Sequence, residues 1–438
     1  MTSSRGRAPD AQPRSGRTEP VSASGYGAGA KLLSVGIAST GLVTFAYFSV
    51  ASYALDGPQY ARVTLLWAVL FIVVSVLYRP VEQLLSRTIA DRRARGLESG
   101  HPVRGPLLIQ AGFALAFLVA ALLAREPLEE VLGGPPLFWI FVAAVEFYSA
   151  SYFARGYLAG HQRFALYGGL VFLEATARLL FALAVLVGLA SGQTAVALGM
   201  AAAPLLSLVV VPLAFSGRRA GGGEKVQAAA RSGGGFAVAV FLVQLSEQTL
   251  LNAAVLLAEV TSEDAAVAGF VFSALLIARA PLQLFQAIQG SLLPHLAGLE
   301  ATAGADEFSR AIRITVLAIV AFAGAVALGL LAVGPFAMDV LFEDEKTFGR
   351  FGLVLVAVGM GAHLVAGTLN QAALARDRAG LAAAAWLLSA AAFVGWMLLE
   401  VVDDPLLRAE TGYAGAAVLL CLLLTAVYRR SQPGRAGD

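Results

Sequence analysis

Residues 62–86, RVTLLWAVLFIVVSVLYRPVEQLLS, decide the fold class. After Arg62 no charge occurs until Arg79, and nearly every residue between them is apolar. A hydrocarbon core about 30 Å thick needs roughly 20 residues of helix per crossing. A helix also satisfies its own backbone hydrogen bonds where no water is present. The stretch therefore reads as a membrane-spanning helix. Others of the same kind lie at 32–55, 105–124, 137–158, 165–190, 194–215, 236–258, 265–289, 311–333, 350–372, 380–401 and 412–428. The chain is thus predicted to be an all-α integral membrane protein with about 12 transmembrane helices. Composition agrees: 58% of the residues are hydrophobic, 14% are charged, and the mean hydropathy is +0.74. A water-soluble chain could not cover that much apolar surface.

Basic residues set the expected orientation. With the N-terminus in the cytoplasm, Arg87, Arg92, Arg93, Arg95, Arg104, Arg218, Arg219, Lys225, Arg376, Arg378, Arg429 and Arg430 all fall in cytoplasmic loops or tails. Outside loops hold only Arg62, Arg125, Lys346, Arg350 and Arg408. This is the positive-inside bias, and it puts both termini in the cytoplasm. The net charge of +2 then reflects topology and gives no sign of nucleic-acid binding. The excess of Arg over Lys and the abundance of Ala suggest a GC-rich bacterial genome, hence a bacterial cytoplasmic (inner) membrane.

The domain reading follows from the loops. Residues 1–30, rich in Arg, Ser, Gly and Pro, read as a disordered cytoplasmic tail. The first apolar segment is too long for a cleaved signal peptide and is kept as a span. Residues 31–215 form an N-terminal six-helix lobe, and 236–430 a C-terminal one. The Gly-rich, basic stretch 216–235 links them in the cytoplasm, and 431–438 is a cytoplasmic tail. With six spans per half, the second half re-enters in the same orientation, as a parallel repeat about a pseudo-twofold axis along the membrane normal. RPVEQL at 79–84 and RAPLQL at 279–284 are the local trace of that repeat. Each places Arg and Gln four apart, on one helical face.

The loops exclude several classes. There is no GxxxxGK[ST], HExxH, CxxC or GxSxG pattern, and Cys421 is the single cysteine. The loops leave no room for a soluble catalytic domain, so no enzyme, metal or cofactor is expected. Interest falls on polar residues inside spans, which are costly and usually face an interior or a cavity. Arg79, Arg178 and Arg279 are the candidate substrate-binding cations. Arg suits phosphate because its fork donates bidentately. Gln83, Gln283 and Gln286 continue the polar faces of the second and eighth spans, while Gln244 and Asn252 do so on the seventh. Glu174, one turn before Arg178, Glu247 and Glu146 are candidates for charge balance or ion coupling, as is His363. An intrahelical Glu174–Arg178 pair, interhelical hydrogen bonding of the amides and a structural His363 are the plainer readings of the same residues.

YSASYFARGYLAGHQR at 148–163, followed by Tyr167 and Glu174–Arg178, resembles the fourth-to-fifth-helix region of bacterial polysaccharide flippases. RPVEQLLSRTIADRRARG at 79–96 and RAPLQLFQAIQGSLLPHL at 279–296 resemble other parts of that family. It belongs to the multidrug/oligosaccharidyl-lipid/polysaccharide (MOP) exporter superfamily. The resemblance implies a MATE/MOP-like two-lobed fold and movement of a polyprenyl diphosphate-linked oligosaccharide to the outer leaflet for cell-surface polysaccharide synthesis. It also implies a cationic lumen, with Arg79, Arg178 and Arg279 as its counterparts here. Implied partners are the lipid-linked glycan, membrane lipids, polysaccharide polymerase or assembly proteins, and a coupling ion, H+ or Na+.

Three rivals remain. A drug or metabolite exporter, from the multidrug branch or the major facilitators, would share the helix count, and TIADRRARG at 88–96 resembles a major-facilitator loop. A membrane-embedded glycan ligase or glycosyltransferase would use outside acids such as Asp56, Glu129, Glu130, Asp339, Asp403 and Asp404. A scaffold for envelope assembly would tolerate loss of all three arginines.

Overall fold

In the computed structural model, the residues described are 23–94, 103–210, 234–261, 266–277, 305–342, 347–376, 378–399 and 401–430, with positions 212 and 282. Among them the regular structure is entirely helical. The first half contains α1 (Ala23–Ala54), α2 (Gly57–Ala94), α3 (Arg104–Leu123), α4 (Arg125–Leu132), α5 (Pro135–Gly160), α6 (Phe164–Leu186) and α7 (Gly192–Ser207). The second half contains α8 (Gly234–Thr261), α9 (Val267–Ile277), α10 (Ala305–Leu341), α11 (Arg350–Ala375), α12 (Ala379–Leu398) and α13 (Pro405–Arg430). Ten of these helices are long and apolar enough to span a bilayer, counting only described residues. α1 and α9 occupy the places of the first and eighth expected spans.

Two boundaries differ from the expectation. α1 starts at Ala23, inside the stretch read as a tail. α13 starts at Pro405, not near 412, so Arg408 lies within a helix instead of an outside loop. Asp404 makes that start possible by accepting from the Leu406 and Leu407 amides, as an N-cap does. α4 is an additional short helix that the span pattern did not announce. It ends on Gly133 at φ 88°, a left-handed cap that glycine adopts without strain.

Packing repeats between the halves. α6 lies along α1 and against α7, and α7 also packs on α5. In the second half α12 lies along α8 and against α13, and α13 packs on α11. Helices at corresponding places thus make corresponding contacts, as two bundles of one design would. α3 and α10 stand at the periphery, with only 17% and 6% of their apolar windows buried, so their remaining surface is suited to lipid.

The bundles meet through α2 and α8, and again at the end bearing the α1–α2 turn. There Tyr53 donates to the Val340 carbonyl at 2.7 Å, Ser49 donates to the Leu341 carbonyl, and Tyr60 and Ser273 share a 2.9 Å hydrogen bond. The Phe48 and Phe272 rings pack at 4.4 Å beside them. That end is closed. From the middle toward the opposite end, where the α5–α6 turn lies, a cavity separates the bundles.

Candidate functional site

The site is set by how closely α5 approaches α2. A β-carbon on Gly156 would lie 2.7 Å from the Glu82 carbonyl oxygen, and one on Gly160 would lie 2.7 Å from the Ile89 β-carbon. Small residues four apart let two membrane helices bring their backbones together. Arg155, next to Gly156, is thereby held at the α2–α5–α6 junction. Ser151 and Tyr148 lie one and two turns earlier on the same side of α5.

α6 supplies the counter-charge. The Glu174 carboxylate accepts from Arg155 Nη2 at 2.6 Å, from Arg178 Nη1 at 3.1 Å and from Ser151 Oγ at 3.1 Å. Arg178 Nη1 also donates to the Tyr148 hydroxyl. Glu174, Arg155 and Arg178 are all buried. One carboxylate thus serves two cations, and the Nε of each arginine has no hydrogen-bond partner. Aromatic faces complete the cage. The Arg178 guanidinium lies 5.0 Å from the Trp67 ring centre, Trp67 stacks on Phe71 at 4.0 Å, and Arg155 lies 4.5 Å from the Tyr152 ring. Such faces attract cations electrostatically. Two helical turns before Glu174 on α6, Tyr167 donates to Glu82 at 2.9 Å.

This network forms one wall of a cavity of about 290 Å3. Arg79, Glu82, Gln83, Arg155, Glu174 and Arg178 line it from the first bundle, and Gln248, Asn252 and Leu282 from the second. Three arginines therefore face two glutamates. Asn252 is anchored by Gln248, to whose carbonyl and side-chain oxygens it donates at 3.0 and 3.1 Å. Glu247, on the next face of α8, acts electrostatically on Arg79 across the bundle boundary.

Of the residues singled out in the sequence, Arg79, Gln83, Glu174, Arg178 and Asn252 are brought together here. Arg279, Gln283 and Gln286 lie outside the described residues. Others are elsewhere. Gln244 is buried in α8 with its amide nitrogen unpartnered, and Glu146 is half-buried in α5 with one carboxylate oxygen unpartnered; neither lines the cavity. His363 is buried inside the second bundle, 3.5 Å from the Tyr413 hydroxyl, with its ring centre 5.4 Å from that of Trp386. Arg178 is a paired cation, as the Glu174 spacing allowed.

Arg155, Glu82, Tyr148 and Tyr167 were missed. Arg155 was available, since it sits inside the 137–158 apolar stretch with Ser151 and Tyr148 on its face.

No family model matches the sequence, and no curated protein matches it. Solved structures do. One is the inward-facing conformation of a multidrug resistance MATE family transporter of the MOP superfamily, with a TM-score of 0.71 at 12% identity over 89% of this chain and 94% of that one. A point mutant of the Vibrio cholerae MATE transporter VcmN gives 0.64 at 16%, over 93% and 98%. A MOP superfamily transporter from Pyrococcus furiosus, reported for a binding pocket of reverse polarity, gives 0.60 at 14%, over 92% and 94%. At these identities the likeness concerns fold: the chain has the all-helical, two-bundle architecture of the MATE transporters of the MOP superfamily.

Proposed function

We propose that this chain is an alternating-access transporter that carries a lipid-linked oligosaccharide, held by its diphosphate, across a bacterial cytoplasmic membrane. The observation behind this reading is the sharing of Glu174 by two buried arginines. A single carboxylate offsets only one of the two positive charges and leaves donor capacity on each guanidinium. A diphosphate entering the cavity offers several charge-dense oxygens that match those forks bidentately. Arg79, nearer the open end, meets such a headgroup first. Gln83, Gln248 and Asn252 suit sugar hydroxyls, Trp67 and Phe71 suit the apolar faces of sugar rings, and the lipid tail stays in the bilayer.

Orientation follows from the basic-residue bias, which puts the α5–α6 end in the cytoplasm and the closed α1–α2 end outside. The cavity then loads from the cytoplasm. Parting of the contacts at Ser49, Tyr53 and Tyr60, with closure at the other end, delivers the headgroup outward. Glu174 and Glu247 balance the arginine charges as the substrate comes and goes, and Arg279, Gln283 and Gln286 are proposed as further substrate contacts. A polymerase or other assembly protein would receive the product.

The decisive measurement is leaflet-resolved accumulation of polyprenyl-linked sugars in cells depleted of the protein. The expected result is build-up on the cytoplasmic face, rescued by wild type but not by Arg178→Gln or Arg155→Gln at equal expression. Build-up on the outer face would replace transport with ligation or polymerisation.

A second reading reverses the roles of the charges. Glu82 and Glu174 among Trp67, Phe71 and Tyr152 also form an acid-and-aromatic cage of the kind that holds organic cations. Drug sensitivity on depletion, with no change in lipid-linked sugars, would establish this exporter reading in place of the first.

A further inference from the structure

The second bundle contains a buried carboxyl that the central cavity does not use. Glu410 lies within the first two turns of α13 and is only 2% exposed. α13 packs along α11, and Gly352 is the point of contact: a β-carbon there would overlap both Glu410 carboxylate oxygens. The carboxyl therefore lies directly on the α11 backbone, in space that only glycine leaves. Its Oε1 has no hydrogen-bond partner.

The charged groups nearby, among the described residues, do not compensate it. On α13's own side stands Asp404, another acid, which acts on Glu410 and already caps the Leu406 and Leu407 amides. Arg408 directs its guanidinium to the carbonyls of Val402, Met397 and Asp403, at 2.7, 3.4 and 3.5 Å. Arg350, at the start of α11, is exposed, and α12 has no charged residue. Among the described residues, an ionised carboxylate in such a place meets no side-chain donor or cation, whereas the neutral acid is tolerated far better.

We propose that Glu410 is a proton-carrying site of the second bundle. It holds a proton while packed on Gly352 and releases it to water when α11 and α13 part, so proton exchange is tied to the packing of these two helices. In that step the carboxylic O–H bond breaks, its electrons stay on the carboxylate, and water takes the proton. The inference is independent of which substrate the central cavity carries.

An infrared titration of the carboxylic C=O stretch, on the purified full-length protein in liposomes, tests it. Wild type is expected to keep a protonated-carboxyl band at neutral pH and lose it on alkalinisation. Glu410→Gln should remove that band. Gly352→Ala, which displaces the carboxyl from α11, should move the midpoint toward the ordinary carboxylate range by about one pH unit or more. A neutral-pH band that survives Glu410→Gln, or no band at all, overturns the proposal. If Glu410→Gln does not fold, Gly352→Ala decides alone, and an unmoved midpoint counts against the site. A Glu410-dependent loss of the band when NaCl is added at fixed pH would make this a Na+ site and end the proton reading.

Discussion

The two bundles share a packing scheme but treat buried polarity differently. In the first, Arg155, Arg178, Glu174, Ser151 and Tyr148 hydrogen-bond to one another, and the two arginines and the glutamate line a cavity. In the second, Glu410 and His363 sit apart, each with an atom that has no partner. A paired network holds charge in place and can present it to a ligand. An isolated ionisable group is suited to exchanging a proton or a small cation. On the two proposals above, substrate contact belongs to the first bundle and proton exchange to the second, on a scaffold that repeats.

The same substitution in both bundles tests this most severely. Glu174→Gln leaves Arg178 buried without its paired carboxylate and Arg155 with only the more distant Glu82, and removing one member of a buried pair costs about 3–5 kcal/mol. Glu410→Gln swaps one neutral group for another of the same shape, and should cost under about 1 kcal/mol. Denaturant unfolding in detergent would measure both. Equal losses at the two positions would abolish the distinction.

The scaffold is the next point of attack. Gly156→Ala sets a β-carbon against the Glu82 backbone, which cannot rotate out of the way. α2 and α5 must then separate, at about 1–3 kcal/mol, as overpacking generally costs. Gly169→Ala, on the open side of α6, meets nothing within 4 Å and should be neutral or stabilising by up to about 1 kcal/mol. A thermal melt that ranks these two in the opposite order would refute the close-packing account of the site.

These glycines also show what the sequence made legible. The spans could be read because crossing hydrocarbon imposes length and composition residue by residue. The Glu174–Arg178 pair could be read because four-residue spacing is a property of one helix. Arg155 meets Glu174 across two helices, and Tyr167 meets Glu82 across 85 positions of chain. Such pairings depend on helix contacts set by Gly156 and Gly160, which in a sequence with 46 glycines stand out little. Glu410 escaped for a similar reason: Pro405 and the Asp403–Asp404 pair read as an outside loop, and nothing local shows that Gly352 lies beneath it.

The finest comparison sets one hydrogen bond in the first bundle against one in the second. Tyr167→Phe deletes the 2.9 Å bond to Glu82 and leaves a carboxylate short of a donor at the cavity wall. It should lower stability by about 1–2 kcal/mol, and in the transport assay it should act in the same direction as loss of Arg155. His363→Leu deletes a 3.5 Å contact with Tyr413 and the edge-on packing on the Trp386 ring, and removes a ring nitrogen that had no partner. An apolar side chain of similar size is suited to that pocket, so the change should stay within about 1 kcal/mol of wild type. Should His363→Leu abolish proton-dependent transport while Glu410→Gln leaves it intact, proton exchange would belong to the His363–Tyr413 pair, and the second bundle's working group would be its histidine.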